Sequence, residues 1–379
     1  MDMHEATKNR DKRFRYDKVY DELKKRIYEQ TYIDGEKIPF ERELCEEFSA
    51  DRVTIRHALD ILVKEGLLEK RAGVGSFAKL PSLKKPQSAA LTRNLLFIMT
   101  KNSNDLNSNP TASNAELFYA IERVCREKSY SLFYAVLNEK NDLAKLINGN
   151  DFMGIMFASY VSRDVLDQCV QMRVPAICLN NRHEQMISIV PENDMGAYMA
   201  VKYLQNHGHE KIAILLGSSE YYSTVERYHG YASAMGDSGW QIAPHYILEG
   251  DWTFDGAREA VLRMLDRADA DADDLPTALF CCSDMMAIGA MDALKERGLS
   301  IPRDISVMGF DNIQQSMHVY PRLTTIAVDV DLMAELAVEY ISGLKGNSDN
   351  RKNYVILTPV SLEVRQSVRA IGNADIDSP

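Results

Sequence analysis

Two arginines and a threonine lead one short segment, Arg52, Thr54 and Arg56 in DRVTIRHAL, and two more cations, Lys70 and Arg71, open the glycine-flanked run KRAGVG shortly after it. A guanidinium offers five N–H donors in a planar fork, which suits phosphate oxygens and the hydrogen-bonding edge of a guanine. The chemistry that these residues suit is noncovalent recognition of nucleic acid. A second set lies far along the chain. Arg227 begins RYHGY, where a guanidinium can donate to hydroxyls or to a carboxylate, and Asp311 in GFDN offers two acceptor oxygens just past the strand-like ISVMGF. The sequence has no G-x-S-x-G elbow, no P-loop, no dinucleotide fingerprint after its first strand and no clear pairing of nucleophile and base. Binding rather than catalysis is therefore expected, with no enzyme activity and no cofactor.

The elements that must position the first set are two short helices and a hairpin. Leu44, Cys45 and Phe48 fall on one face of a helix from Glu41 to about Phe48. Ser49, Ala50 and Asp51 make a turn, and Asp51 is placed to cap a second helix beginning at Arg52. Ile55, Leu59, Leu62 and Val63 give that helix a buried stripe, which leaves Arg52, Thr54, Arg56 and His57 near its N-terminal end to enter a major groove. Gly66 closes the helix, and Leu67 and Leu68 open a strand whose turn carries Lys70 and Arg71 toward phosphate. Helix, turn, helix and basic hairpin in this order predict a winged helix-turn-helix.

The second set sits in a different pattern. The segment AKLPSLKKPQSAALTR, with two prolines and three lysines, reads as an exposed linker. From Asn94 onward short apolar strands alternate with amphipathic helices: LLFIM, SLFYAVL, DFMGIMF and PAICL, then KIAILLG, HYILEG, TALFCC and ISVMGF. Nearly continuous apolar strands of this kind argue for parallel sheets covered on both faces. Two successive sets argue for two doubly wound lobes with a ligand cleft at the carboxyl ends of their strands. The expected division is a DNA-binding domain over 14–79, a linker over 80–93, and a two-lobed effector-binding and dimerisation domain over 94–369.

Composition agrees with this division. The chain of 379 residues carries a formal charge of −11, but its first 85 residues are close to +2 and the remainder near −13. A basic end on an acidic body suits a DNA-facing module and a body that avoids nonspecific adhesion to nucleic acid. The six cysteines, at 45, 125, 169, 178, 281 and 282, show no metal-ligand spacing, so reduced core thiols and no metal are expected. His207 and His209, which flank Gly208, read as helix-capping or surface groups. Without a signal-like stretch or an apolar run approaching membrane-spanning length, a cytoplasmic location with no membrane partner is expected.

Two resemblances sharpen these readings. The segment from Tyr16 to Ala78 resembles the GntR-type winged helix-turn-helix. The resemblance implies DNA contacts from Arg42 in ERELC, from Arg52 and Arg56, and from the wing glycines Gly73 and Gly75. Phe40 stands where that family usually has a capping serine, and Asp51 where it has a serine or threonine near phosphate. From about Asn94 to Val368 the chain resembles the effector domain of the LacI/GalR family, a relative of type I periplasmic binding proteins. The carrying segments are MGAYMAVKYLQNHGHEKIAILLG, ERYHGYASAMGDSGW, LEGDWTFDGA, SDMMAIGAMDALKERGLSIPRDISVMGFDN, YPRLTTIAVD and SLEVRQS. A GntR-type module on such a body is similar to the arabinose-repressor group. The resemblance implies that Arg227 lines the cleft, that Asp311 binds effector, and that Trp252 lies against the flat face of a sugar or base. It also implies a ligand role for Asp284, which follows Ser283 where the family often has Asn-Asp, and for the first-lobe loop with Ser103, Asn104 and Asp105. The implied function is a dimeric regulator of transcription on double-stranded operator DNA, a repressor released by a carbohydrate effector. A nucleoside effector or activation in place of repression stands as the alternative.

Overall fold

The computed structural model describes residues 18–27, 31–32, 35–71, 74–79, 93–100, 112–137, 143–147, 150–268, 275–344 and 354–371, and it divides the chain into two units, Met1–Leu91 and Thr92–Pro379. In the front unit, α1 (residues 18–27) buries Val19, Leu23 and Ile27, one per turn. Helix α2 (Glu41–Glu47) buries Leu44. Helix α3 (Arg52–Lys64) buries Ile55, Ala58, Leu59 and Leu62. These side chains share one core with Ile38, Leu67, Leu68 and Ala78. Gly66, at φ +73°, turns the chain out of α3 in a conformation that glycine adopts without a Cβ clash. Strands β1 (Leu68–Arg71) and β2 (Gly75–Ala78) then pair antiparallel, Leu68 opposite Ala78 and Arg71 opposite Gly75. The sequence reading assigned no helix to residues 18–27; its three apolar positions are what roof the two-helix core.

The second unit holds two six-stranded sheets. Strands β3 (Asn94–Thr100), β4 (Ser131–Leu137), β5 (Gly154–Ala158), β6 (Ala176–Leu179) and β7 (Ile187–Pro191) form an all-parallel sheet with β13 (Val355–Thr358), in the order β13-β7-β6-β5-β3-β4. Alternate residues of β3 feed opposite cores: Leu95, Phe97 and Met99 on one face, Leu96 and Ile98 on the other. That is why the strand reads as a continuous apolar run. Helices α4 (Ala112–Glu127), α5 (Leu143–Ile147) and α6 (Arg163–Gln171) cover this first lobe.

In the second lobe β8 (Ile212–Leu216), β9 (Ile247–Glu249), β10 (Ala278–Cys281), β11 (Ser306–Asp311) and β12 (Thr324–Val328) run parallel. The antiparallel β14 (Val360–Glu363) closes the edge beside β12. Helices α7 (Asn193–Asn206), α8 (Tyr222–Asp237), α9 (Phe254–Ala268) and α10 (Asp284–Glu296) pack on it.

The lobes are not two consecutive stretches of chain, as the strand-helix alternation suggested. Among the described residues the chain crosses between them three times, from β7 to α7, from β12 to α11 (Val330–Gly343), and from β13 to β14. Helix α11 follows a second-lobe strand yet lies on the first lobe, where Met333, Ala337, Val338 and Ile341 share a core with Leu117, Ile121 and Val124 of α4. The absence of a Cβ at Gly154 permits this: one built there would lie 2.4 Å from Ile341 Cγ1. Among the described residues no helix is long and apolar enough to cross a membrane.

Candidate functional site

Two places collect the residues singled out by sequence. The first is the outward face of α3. Asp51 caps the helix, its Oδ1 accepting from the Thr54 backbone N–H at 2.9 Å, while the Thr54 hydroxyl donates to Oδ2 at 3.1 Å. Thr54 is buried, so the expectation that it would point outward with the arginines is corrected: its hydroxyl belongs to the cap. Phe40 offers α2 no side-chain cap. Glu43 accepts instead from the Phe40 N–H at 2.6 Å, while the Phe40 ring lies exposed under the Lys37 ammonium.

Arg52 and Arg56 extend into solvent, with side chains 75% and 56% exposed, and both donate to the Glu41 carboxylate, at 3.1 Å from Arg52 Nε and 3.1 Å from Arg56 Nη2. The Arg56 guanidinium, with help from Arg52, holds the Glu41 carboxyl below the usual carboxylate range. Glu41 thus fans two guanidinium forks from one point without burying either. Arg42 is still more open, its Nε 3.4 Å from the Glu46 carboxylate. On the hairpin, Lys70 reaches back to Asp60 of α3, and the Arg71 guanidinium lies 4.4 Å from the centre of the Phe77 ring. Gly75 sits at φ +133°, and a Cβ there would come within 2.8 Å of Lys37 Cε. Gly73 lies outside the described residues.

The second place is a cleft between the lobes, lined from the first by Asn114, Glu116, Ser159 and Asn180 and from the second by Arg227, Trp252, Ser283 and Asp311. Its floor is organised by Arg227 of α8, which is 5% exposed. Nε donates to Asn193 Oδ1 at 2.9 Å, Nη1 to the Cys282 carbonyl, and Nη2 to Asp311 Oδ1 at 3.3 Å. The guanidinium plane also lies 3.6 Å from the Phe310 ring centre. Three groups from three elements are thereby fixed on one side chain. Trp252 faces the cleft 5.5 Å from Tyr221, whose ring is in turn 5.3 Å from Tyr160 of the first lobe. Its indole packs directly over Gly217, where a Cβ would lie 2.0 Å from Cε2. Burial pushes the Asp311 carboxyl up to about 6 in spite of the Arg227 charge.

Backbone strain gathers at the same place. Ser159 and Asn180, just past β5 and β6, have φ +62° and +55°; Trp252, past β9, has +60°; Asp311, at the end of β11, has +112°. All four line the cleft. Non-glycine residues hold such conformations only where their surroundings over-determine them, and the cost of order 1–3 kcal/mol each tends to be stored at binding sites.

Asp284 does not belong with these residues. It is fully buried behind the cleft, where it accepts from the Thr325 hydroxyl and, at 2.8 Å, from the Ile313 N–H. Burial raises its carboxyl well above the usual range. The expected ligand role is corrected to that of a brace holding the loop after Asp311. Ser283 beside it does line the cleft, and its hydroxyl caps α10 by accepting from the Met286 N–H at 3.2 Å. Ser103, Asn104 and Asp105 lie outside the described residues. His209 is buried between Thr277 and the Arg369 carbonyl, each 3.0 Å away, so it joins the core and not the surface; burial pulls its imidazole down to about 4.

The sequence reading missed Glu116, whose carboxylate lines the cleft from the first lobe and accepts from the Gln314 N–H of the second at 2.8 Å. It also missed Asn193, the partner of Arg227. A carboxylate on an amphipathic helix reads as solvated surface, but Ser159, Asn180 and Asn193 each follow a buried strand closely, and that position was a usable signal.

Among solved structures, the transcriptional regulator CelR in complex with cellobiose matches with a TM-score of 0.65 at 21% identity, covering 83% of this chain and 90% of that one. A LacI family regulator from Enterococcus faecium with bound ribose matches with a TM-score of 0.63 at 21% identity, covering 73% of this chain and all of that one. These likenesses show a shared fold. Residues 15–77 match the family of bacterial regulatory proteins called gntR, and residues 201–368 match the periplasmic binding protein-like domain. The HTH-type transcriptional repressor PurR of Pasteurella multocida is 34% identical over 267 residues, 68% of this chain and 77% of that protein. The chain belongs to the LacI/GalR family of transcriptional regulators. In this LacI/GalR regulator the DNA-binding front unit is of the GntR type. The family membership accounts for a chain with two sites, one exposed and basic, the other buried between lobes.

Proposed function

We propose that this regulator is a repressor that grips operator DNA through Arg42, Arg52, Arg56, Arg71, Gly73 and Gly75, and lets go when a neutral, polyhydroxylated ligand, a carbohydrate, fills the cleft. The observation that carries the choice of ligand is the engagement of Arg227. It is the cation lining the cleft among the described residues; three of its five N–H groups donate to protein oxygens and Asp311 offsets its charge, while Glu116 adds a further carboxylate to the lining. Such a lining repels an anionic sugar acid or sugar phosphate and suits the hydroxyl donors of an uncharged sugar. Trp252 supplies an aromatic face for the C–H side of a pyranose. Two proteins of the same fold carry cellobiose and ribose.

Binding, not catalysis, is the proposed mode of action. Cys282, whose carbonyl meets Arg227, has a thiol pushed up to about 12 by burial, which leaves it no thiolate for nucleophilic work. The proposed division places the DNA-binding domain over 14–79, the linker over 80–93, and the effector-binding and pairing domain over 94–369. Two chains would bind a near-palindrome in the cytoplasm, and lobe closure would reset the spacing of their front units. The coupling between cleft and DNA is at most the ligand's differential affinity for the two states, typically about 1–3 kcal/mol.

A thermal-shift panel of neutral sugars, sugar acids, sugar phosphates and nucleosides tests the reading. A neutral sugar at about 100 times its dissociation constant should stabilise the protein by about 2.7 kcal/mol and release a retarded promoter fragment. Stabilisation by an anionic sugar alone would overturn it. A nucleoside is the second reading, favoured by the Tyr221–Trp252 ring pair, whose faces would also hold a base; stabilisation by nucleosides and not by sugars would establish it.

A further inference from the structure

On the outward face of α3, with Thr54 turned inward, the exposed residues of the first two turns are Arg52, Val53, Arg56 and His57. Val53 is 72% exposed, the most open of the large apolar side chains on the front unit's described residues. It lies one residue from Arg52 and three from Arg56, so on the helix surface it adjoins the strip from which both guanidinium groups project. A β-branched residue gains nothing here from packing and is a poorer helix former than the alanine or polar residues that an exposed position accepts. Its two methyl groups have no hydrogen-bonding capacity. In a major groove the apolar feature that they can meet is the C5 methyl of thymine, which distinguishes T·A from C·G at the same edge.

We infer that Val53 is a base-reading residue and that it selects a thymine in each half-site by burying the thymine methyl against its own. The inference rests on the DNA-binding role of the front unit and refines it: the arginines supply phosphate and guanine contacts, and Val53 adds a methyl-specific position between them.

The test uses the full-length protein and a duplex recovered by selecting it against a randomised pool. Each thymine of the recovered half-site is replaced in turn by uracil, which removes the methyl and leaves the Watson–Crick edge intact. At one position the wild-type protein should lose about fourfold in affinity for each half-site altered, the size of one buried methyl. Val53→Ala should bind thymine and uracil duplexes alike at that position, and Val53→Ile should restore the preference. Equal thymine-over-uracil preference in wild type and Val53→Ala, or no methyl dependence at any thymine, would overturn the inference while leaving the DNA-binding reading in place. Recovery of no duplex at all would overturn the DNA-binding reading and this inference with it.

Discussion

The arginines of α3 and Arg227 of the cleft share one functional group and live in opposite environments. Arg52 and Arg56 stand in water and share a single carboxylate; such pairs are worth roughly 0–1 kcal/mol and are readily exchanged for another anion. Arg227 is closed in by Asn193, Cys282 and Asp311, with an aromatic ring against its plane. On the proposed roles, a cation that must move to a phosphate or a base edge is kept loosely, and one that must hold a ligand site in shape is tied on every side. Exposure of the charge, more than its identity, separates grip from scaffold.

Removing each arginine should break this contrast in a different way. Arg227→Ala leaves Asp311 and Asn193 buried without their donor, and it should cost the body about 3–5 kcal/mol of stability together with the effector response; chemical denaturation and the thermal-shift panel measure both. A variant as stable as wild type would mean that the buried cluster is no scaffold. Arg56→Ala should weaken operator binding by about 1–3 kcal/mol with stability changed by no more than about 0.5 kcal/mol, read by gel retardation beside a thermal melt. Asp311→Asn addresses the electrostatics of the cleft. Its carboxyl titrates near 6 when folded and at the ordinary 3.8 when unfolded, so between these values the folded state holds a proton that the unfolded chain has lost. Stability from this group is therefore greatest below about pH 4 and falls as pH rises through 6. The variant should flatten that slope, and an unchanged slope would assign it to Asp284 or Glu116 instead. Arg42→Ala should have the mildest effect, lowering the slope of log affinity against log salt by about 1 with little change in sequence preference.

The periodicity of apolar residues made most of this molecule legible. Helices α2 and α3, and strands β3 to β6 and β8 to β11, begin and end within a few residues of where the pattern puts them, because each buries a face that its spacing declares. Long-range pairing is what the pattern could not announce. Helix α11 has an ordinary apolar stripe, and nothing local says that it returns to the first lobe; the decision lies with Gly154 and α4, far away in sequence. The same limit governs the sites. Arg227 and Asp311 were readable at strand and helix ends, and they do meet. Asp284 and Thr54 were expected at the surface of their sites and lie beneath them, because a polar side chain that caps or braces has the same one-letter code as one that binds.

The order in which the strands are laid down has a consequence for synthesis. Both sheets of the body receive an edge strand, β13 and β14, from the last stretch of described chain, after every other strand has been made. A growing chain therefore carries a finished front unit long before either lobe can close its border, and for that interval both sheets of the body present an unpaired edge. Shortening the protein by its final strands should yield a chain that self-associates, since unpaired sheet borders invite aggregation.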